Sequence, residues 1–248
     1  MTKPVSALSL RPFWWDMNGV FAPPSHPQPN RPDPLDAASH VVLRAKEDRS
    51  LEFEARCHLS VTGESPEVTF SRICGVLNKG CAWSSPPSEH YSLIDCYSHG
   101  IRRVRTWKSK DDADAEMHPE QARVEKKEKK TFTDVVLAEA ARRVGISGWE
   151  SFPPGLKTRV AASSEVPCEI PNGEHRLVQR AKTTRSYVYR KTWRFDISLV
   201  YNSTEQQGGV EAEVELIDFE GTGGDPTTVA LSCLAKIADI GIFCFMPV

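Results

Sequence analysis

The chain has 248 residues and a formal net charge of −2, from 31 Lys and Arg against 33 Asp and Glu. This length supplies core residues for one large domain or two small ones, and the charge balance argues against a general basic coat for nucleic acid. We expect no membrane span and no secretory signal, because no apolar run is long enough for either. Seven cysteines without a CxxC pair predict reduced thiols in a cytosolic or nuclear protein.

The first 38 residues predict a Pro-rich flexible arm, and residues 39–248 predict a folded domain. Eight of the 18 prolines fall before position 36, and proline is excluded from helix interiors and central strands. The arm carries the aromatic group Phe13-Trp14-Trp15. This group predicts either packing against the domain or a docking motif for a partner, since Trp is enriched in binding hot spots.

From His40 onward, apolar and polar residues alternate with the period of β-strands. Breaks rich in Gly, Pro, Asn and charged residues separate these segments, a spacing typical of a large antiparallel sheet or barrel. The fold class is therefore mainly β, with a few flanking helices. The predicted strands are 51–55, 91–97, 101–108, 121–129, 156–165, 175–190, 193–199 and 211–216, and the predicted helices are 67–78, 133–144 and one beginning at Asp225.

Glutamates repeat every second residue on the first and last of these strands. Each set shares one strand face, where like charges repel unless they are solvated or countered. Two interpretations follow: a solvated outer face, or a closed barrel with a polar lumen in which carboxylates bind Mg²⁺ or Mn²⁺. Cations at matching period would then neutralise a polyphosphate. The acids are Glu52, Glu54, Glu211, Glu213 and Glu215, and the cations are Arg123, Lys127, Arg180, Lys182 and Arg194.

Four segments together resemble a known family, the metal-dependent mRNA-capping RNA triphosphatases of fungal, protozoan and viral type, within the triphosphate tunnel metalloenzymes. The segments are LEFEAR (51–56), SSEVPCEIP (163–171), RAKTTRSYVYRKTWRFDIS (180–198) and VEAEVELID (210–218). The compact length is most similar to the kinetoplastid members. The resemblance implies a closed eight-stranded antiparallel β-barrel tunnel with a polar lumen in residues 39–248.

The resemblance also implies an activity: hydrolysis of the γ-phosphate of 5′-triphosphate RNA to a 5′-diphosphate, the first step of mRNA cap formation, with nucleoside triphosphate hydrolysis in Mn²⁺. Glu52, Glu54, Glu213 and Glu215 match metal ligands for Mg²⁺ or Mn²⁺. Glu211 matches the residue that orients water, with Glu165 nearby. Lys182 and Arg194 match phosphate-binding cations, and Asp196 holds Arg194. The expected substrate-binding set is completed by Arg123, with Arg105 as its rival, by Lys127 and by Arg185. Arg185 stands one position late for the family pattern, so either it reaches the substrate through a β-bulge or that contact is absent.

Two other functions remain open at this stage. One is a tripolyphosphatase or other small-molecule triphosphatase, because Glu52, Glu54 and Arg56 form an E-x-E-x-R strand close to the E-x-E-x-K pattern of such enzymes. The other is a non-catalytic module that binds polyphosphate or RNA. The expected partners are the 5′-triphosphate end of nascent RNA, nucleoside triphosphates and, through the N-terminal arm, a capping guanylyltransferase. The expected location is the nucleus.

Overall fold

The alternating segments form one closed barrel. The computed structural model describes residues 33–80, 83–203, 208–220 and 225–245. The strands are β1 (Glu52–Leu59), β2 (Ser88–Cys96), β3 (Ile101–Trp107), β4 (Gln121–Val136), β5 (Lys157–Pro167), β6 (Val178–Tyr189), β7 (Trp193–Asn202) and β8 (Gly209–Leu216). They close in the order β1-β5-β4-β3-β2-β6-β7-β8, with β8 returning to β1. All eight neighbouring pairs are antiparallel, which confirms the predicted fold class.

Helices cover the outside of the barrel. They are α1 (Pro34–Glu47), α2 (Pro66–Gly80), α3 (Lys110–Asp114), α4 (Leu137–Arg143) and α5 (Pro226–Phe245). The helices predicted at 67–78 and after Asp225 are confirmed as α2 and α5. The carboxylate of Asp225 caps α5 by accepting a hydrogen bond from the backbone N–H of Thr228 at 2.8 Å, and Pro226 occupies the favourable first position.

The apolar core lies between the barrel and these helices. Phe53 and Ala55 of β1 and Val214 of β8 are fully buried on the outer face of the wall. Helix α5 packs there against β1 and β8 and also contacts α1, α2 and α4. Because side chains alternate along a strand, burying one set outward directs the other set into the lumen. The lumen is therefore lined by the polar half of each strand.

Helix α5 corrects the expectation that no segment has the length and composition of a membrane span. The 20 residues Pro226–Phe245 are long and apolar enough to cross a membrane, with a mean hydropathy of 1.8. They contain only two charged residues, Lys236 and Asp239. Of its apolar window, 67% is buried inside the domain, as in the core helix of a globular protein. Lys236 is itself fully buried, with Nζ 2.6 Å from Ser232 Oγ and 4.9 Å from the Trp193 ring centroid.

Two predicted boundaries differ from the structure. The arm predicted at 1–38 ends earlier, because helix α1 begins at Pro34, with Asp33 as its N-cap and Leu35 and Ala38 buried in the core. Residues 1–32, including Phe13-Trp14-Trp15, lie outside the described residues. The helix predicted at 133–144 is shorter, since β4 continues to Val136 and pairs with β5 as far as Lys157.

A tight turn joins β2 to β3 beside the tunnel wall. Gly100 has a φ of +76°, and a Cβ at this position would lie 2.7 Å from the backbone oxygen of Lys127. Any other residue would meet both backbone strain and a clash with β4. The turn therefore packs directly against the strand that carries Lys127.

Candidate active site

The two glutamate-bearing strands are neighbours, and both direct their glutamates into the lumen. The register of β1 with β8 places Glu54 opposite Glu215 and Arg56 opposite Glu213. Arg56 Nη2 lies 2.6 Å from Glu213 Oε2 and 3.4 Å from Glu54 Oε2. Acids that are distant in the sequence thus share one wall, with an arginine between them.

Lys127 faces this wall from β4. Its Nζ lies 3.2 Å from Glu54 Oε2 and 3.4 Å from Glu52 Oε2. It also lies 3.2 Å from Glu165 Oε1 on the adjacent strand β5. The charged segment 126–130 is therefore part of a strand, and Lys127 shares its inward face with Arg123. One ammonium group therefore connects two predicted metal-binding glutamates to Glu165.

Burial and mutual repulsion disfavour ionisation of two lumen glutamates. Burial raises the pKa of Glu54 to about 7, and the neighbouring Glu213 carboxylate adds to that rise. Burial likewise raises the pKa of Glu215 to about 8, against the opposing effect of Arg194. The cause is a local surplus of carboxylates in a poorly solvated space.

Glu211 and Glu213 behave in the opposite way, because cations surround them. Burial opposes ionisation of Glu211, but Lys182, Arg180 and Arg56 together lower its pKa to about 2. Lys182 Nζ is 3.1 Å from Glu211 Oε2, and Arg180 contacts Oε1. Burial is also overcome at Glu213, where Arg56 and Lys182 hold the pKa well below its usual range. Both groups are therefore carboxylates at neutral pH.

Arg194 and Asp196 occupy the same wall on β7. The register with β8 places Arg194 opposite Glu215, which it contacts, and Asp196 opposite Glu213. Arg194 Nε lies 3.2 Å from Asp196 Oδ2. The contact that the predicted positioning role of Asp196 requires is thus present. Burial raises the pKa of Asp196, although Arg194 counters it.

Arg185 is not in the tunnel, which corrects the expectation that it binds substrate. Strand β6 pairs with β2 and β7 without a register shift, so there is no bulge between Lys182 and Arg185. Residues three apart on a regular strand face opposite sides. Lys182 therefore points inward, whereas Arg185 lies on the outer face, with Nη2 3.2 Å from Glu89 Oε2.

The same alternation of strand faces distinguishes Arg123 from Arg105, the two candidates for one substrate-binding arginine. Arg105 lies on the outer face of β3, where Nη2 is 2.9 Å from Asp95 Oδ2. Arg123 lies on the inward face of β4, near the tunnel end, with Nε 2.6 Å from Glu125 Oε2. The geometry therefore favours Arg123, and its predicted contact with substrate stays a prediction.

Two lumen arginines, Arg56 and Arg102, were absent from the predicted site, and a third, Arg180, was predicted only as a lumen cation. All three contact predicted site glutamates. Arg56 had a signal in the sequence, since it keeps the two-residue period of a strand already assigned inward-facing acids. Arg102 had none, because Arg102, Arg103 and Arg105 are close together and the phase of β3 cannot be read from its composition.

The residues present fit a hard divalent cation. Glu52, Glu54, Glu213 and Glu215 supply carboxylate oxygens on adjacent strands, the donor type that Mg²⁺ and Mn²⁺ prefer. Among the buried polar atoms of the lumen, Oδ1 of Asp196 and Oγ of Ser163 belong to those with no hydrogen-bond partner within the described residues. Within those residues no three acidic, His or Cys side chains converge as a preformed metal site. Arg56, Lys127 and Arg194 instead contact the carboxylates.

Comparison with solved structures identifies a protein that shares the fold and others that align less well. The S. pombe Pct1 RNA triphosphatase aligns with a TM-score of 0.53 and 14% identity, over 86% of this chain and 94% of that chain. The two chains share a fold. The triphosphatase of the Mimivirus capping enzyme aligns with a TM-score of 0.45 and 16% identity, over 80% of this chain and 96% of its own. Pct1 in complex with the Spt5 CTD aligns with a TM-score of 0.48 and 13% identity, over 85% and 91%.

Neither a protein-family profile nor a curated protein sequence matches the chain. The likeness therefore lies in the barrel and not in overall sequence. The closed eight-stranded antiparallel barrel that the four sequence segments imply is confirmed, whereas the similarity to kinetoplastid members stays a prediction.

Proposed function

We propose that the chain is a metal-dependent RNA 5′-triphosphatase. The observation that carries this proposal is a closed tunnel in which the glutamates of β1 and β8 meet Lys127, Lys182 and Arg194 from the other strands. Acids and cations that neutralise one another in a narrow lumen suit a ligand made of a metal and a polyphosphate. The substrate is the γ-phosphate of 5′-triphosphate RNA, and the products are 5′-diphosphate RNA and phosphate.

The chain's own residues orient the phosphate and the water. Lys182, Arg194 and Arg123 bind the oxygens of the transferred group and stabilise the charge that develops on them. Glu211 accepts a hydrogen bond from the attacking water, since its low pKa keeps it ionised, and Glu165 assists from β5. Attack is in line with the leaving oxygen and forms no covalent enzyme intermediate.

Glu52, Glu54, Glu213 and Glu215 would hold Mg²⁺ or Mn²⁺. The ion, when bound, supplies Lewis-acid polarisation of a phosphate oxygen. Lys127 and Arg56 contact these carboxylates in this structure. With the carboxylates neutralised by the metal ion, the positive charges of Lys127 and Arg56 would be free to face the phosphates.

The proposal is tested by phosphate release from γ-labelled 5′-triphosphate RNA with Mg²⁺, with Mn²⁺ and with a chelator. ATP and inorganic tripolyphosphate run in parallel, and we expect ATP hydrolysis chiefly with Mn²⁺. Faster turnover of RNA than of tripolyphosphate supports the capping role. The reverse order favours the small-molecule alternative, and binding without release under either metal overturns catalysis in favour of a binding module.

The proposal extends to cap formation in the nucleus. We propose a capping guanylyltransferase as partner, reached through the Pro-rich segment at residues 1–32. Support comes from the complex of the S. pombe enzyme with the Spt5 CTD and from a trifunctional mimivirus capping enzyme whose triphosphatase domain aligns over 79% of this chain. Co-precipitation of the full chain, and of a chain lacking residues 1–32, with a guanylyltransferase from the same cells tests this step.

A further inference from the structure

One end of the tunnel opens into a cavity of about 770 Å³. The cavity is lined by the acids Glu54 and Glu211 and by the cations Lys129, Lys157, Arg159 and Arg180. Lys129 and Lys157 are exposed, so this end of the tunnel carries cations where it meets solvent. These cations attract a polyanion to this end of the tunnel.

An exposed aromatic ring stands at this mouth. Phe132 of β4 is 53% exposed, and its ring centroid lies 4.9 Å from the guanidinium carbon of Arg159 and 5.9 Å from Lys129 Nζ. Both cations line the cavity. Phe132 pairs with Ala161, which in turn pairs with Glu54. The ring therefore stands two strands from Glu54, a backbone separation of about 10 Å.

Asp134 orients the guanidinium of Arg159 beside this ring. Arg159 Nε and Nη2 donate to the two carboxylate oxygens of Asp134 at 2.7 and 2.9 Å. Such a two-point ion pair orients the guanidinium plane. An exposed aromatic ring beside cations is the arrangement with which proteins stack unpaired bases while binding the adjoining backbone.

We propose that Phe132 and Arg159 form the nucleoside subsite of the tunnel, with Phe132 stacking on the first base of the triphosphate substrate. This inference rests on the proposed function, because it assumes a γ-phosphate beside Glu54 and Glu211. The base then lies outside the phosphate-binding lumen, at the end where Phe132 meets solvent. The subsite selects substrates that carry a nucleobase over inorganic tripolyphosphate, and it reads no base sequence, since every base has a face to stack.

The experiment compares KM for 5′-triphosphate RNA with KM for tripolyphosphate in the wild-type chain and in F132A, F132W and V68A. We expect F132A to raise the ratio of the two KM values about tenfold, and F132W to preserve it because indole also stacks. V68A is the matched control, since Val68 on α2 is also 53% exposed and lies outside the barrel wall. An equal change for both substrates, or none, overturns the subsite.

A second readout separates this inference from the proposed function. The dissociation constant of the β,γ-imido analogue of ATP, which cannot release its γ-phosphate, is measured by calorimetry with Mg²⁺ for the same variants. A wild-type chain that hydrolyses nothing overturns the proposed function. Weaker analogue binding by F132A alone would still establish the subsite, and equal binding by all four proteins would overturn it.

Discussion

Lys182 and Arg185 lie three residues apart on β6 and point to opposite sides of the barrel wall. Lys182 contacts Glu211 in the lumen, with 3.1 Å between Nζ and Oε2, whereas Arg185 contacts Glu89 on the outside. Sequence alone makes the two equivalent, since both are cations in the segment that resembles a phosphate-binding hairpin. The regular register of the strand separates them.

The first prediction uses this pair as its own control. K182A should lower kcat on 5′-triphosphate RNA by about 100-fold or more, because it removes a preorganised cation from the reacting phosphate. R185A should stay within about twofold of the wild-type rate, since its side chain does not reach the lumen. Steady-state phosphate release measures both. Equal losses in the two variants would contradict the register described above.

The second prediction concerns Glu213. E213Q should lose more than about 100-fold in metal-dependent kcat, because residues that merely support metal ligands are already worth about 10–100-fold. Its circular dichroism spectrum should match that of the wild type. E128Q is the matched control, since Glu128 is a barrel-strand glutamate on the outer face, paired with Lys126 and Lys130. An E213Q variant that stays active but unfolds at a lower urea concentration would indicate a structural role.

The third prediction is a pH dependence of stability in the presence of a chelator. The folded pKa of Glu215 is about 8, above the ordinary value of 4.5. The folded state therefore keeps a proton that the unfolded state releases, so this group's contribution to stability is full below about pH 4.5 and declines up to about pH 8. E215Q cannot titrate and should flatten that decline. Urea unfolding at pH 5, 6.5 and 8 checks the difference between the two proteins.

The fourth prediction concerns thiol reactivity. Burial raises the pKa of Cys57 and of Cys233 to about 12 and that of Cys244 to about 11. Thiolate is the reactive species, so these three thiols should resist alkylation at pH 7.5 in the folded protein. Among the cysteines that the structure describes, Cys168, which is partly exposed, should react first. Mass spectrometry of peptides after a short iodoacetamide pulse, with and without urea, identifies the labelled sites.

Much of the fold could be predicted from periodicity. The glutamates of β1 and β8 alternate with apolar residues, so the sequence identifies the polar face of each strand. It does not reveal whether that face lines a lumen or meets bulk solvent. The polar face becomes a lumen only when β8 pairs with β1 and closes the barrel. Closure is a property of the whole set of strands, so local alternation leaves both interpretations open.

The site residues that were misplaced or missed have a common cause. On β3 and β6, arginines occur on both faces, so composition does not reveal which side points inward. Arg102 and Arg105 differ only in phase, and the phase follows from pairing with β2 and β4. Helix α1 was missed for another reason, since its start at Asp33-Pro34 ends a Pro-rich segment that reads as irregular chain.

The seam between the first strand and the last has a consequence for biosynthesis. Arg56 and Glu213 are partners across it, yet 157 residues separate them in the chain. A nascent chain that has emerged only as far as β7 leaves one edge of β1 unpaired, with Arg56 lacking its closest carboxylate. Contacts of such high sequence separation form late and slowly. The complete acidic wall therefore forms only after β8 has left the ribosome, although β1 can pair with β5 before then.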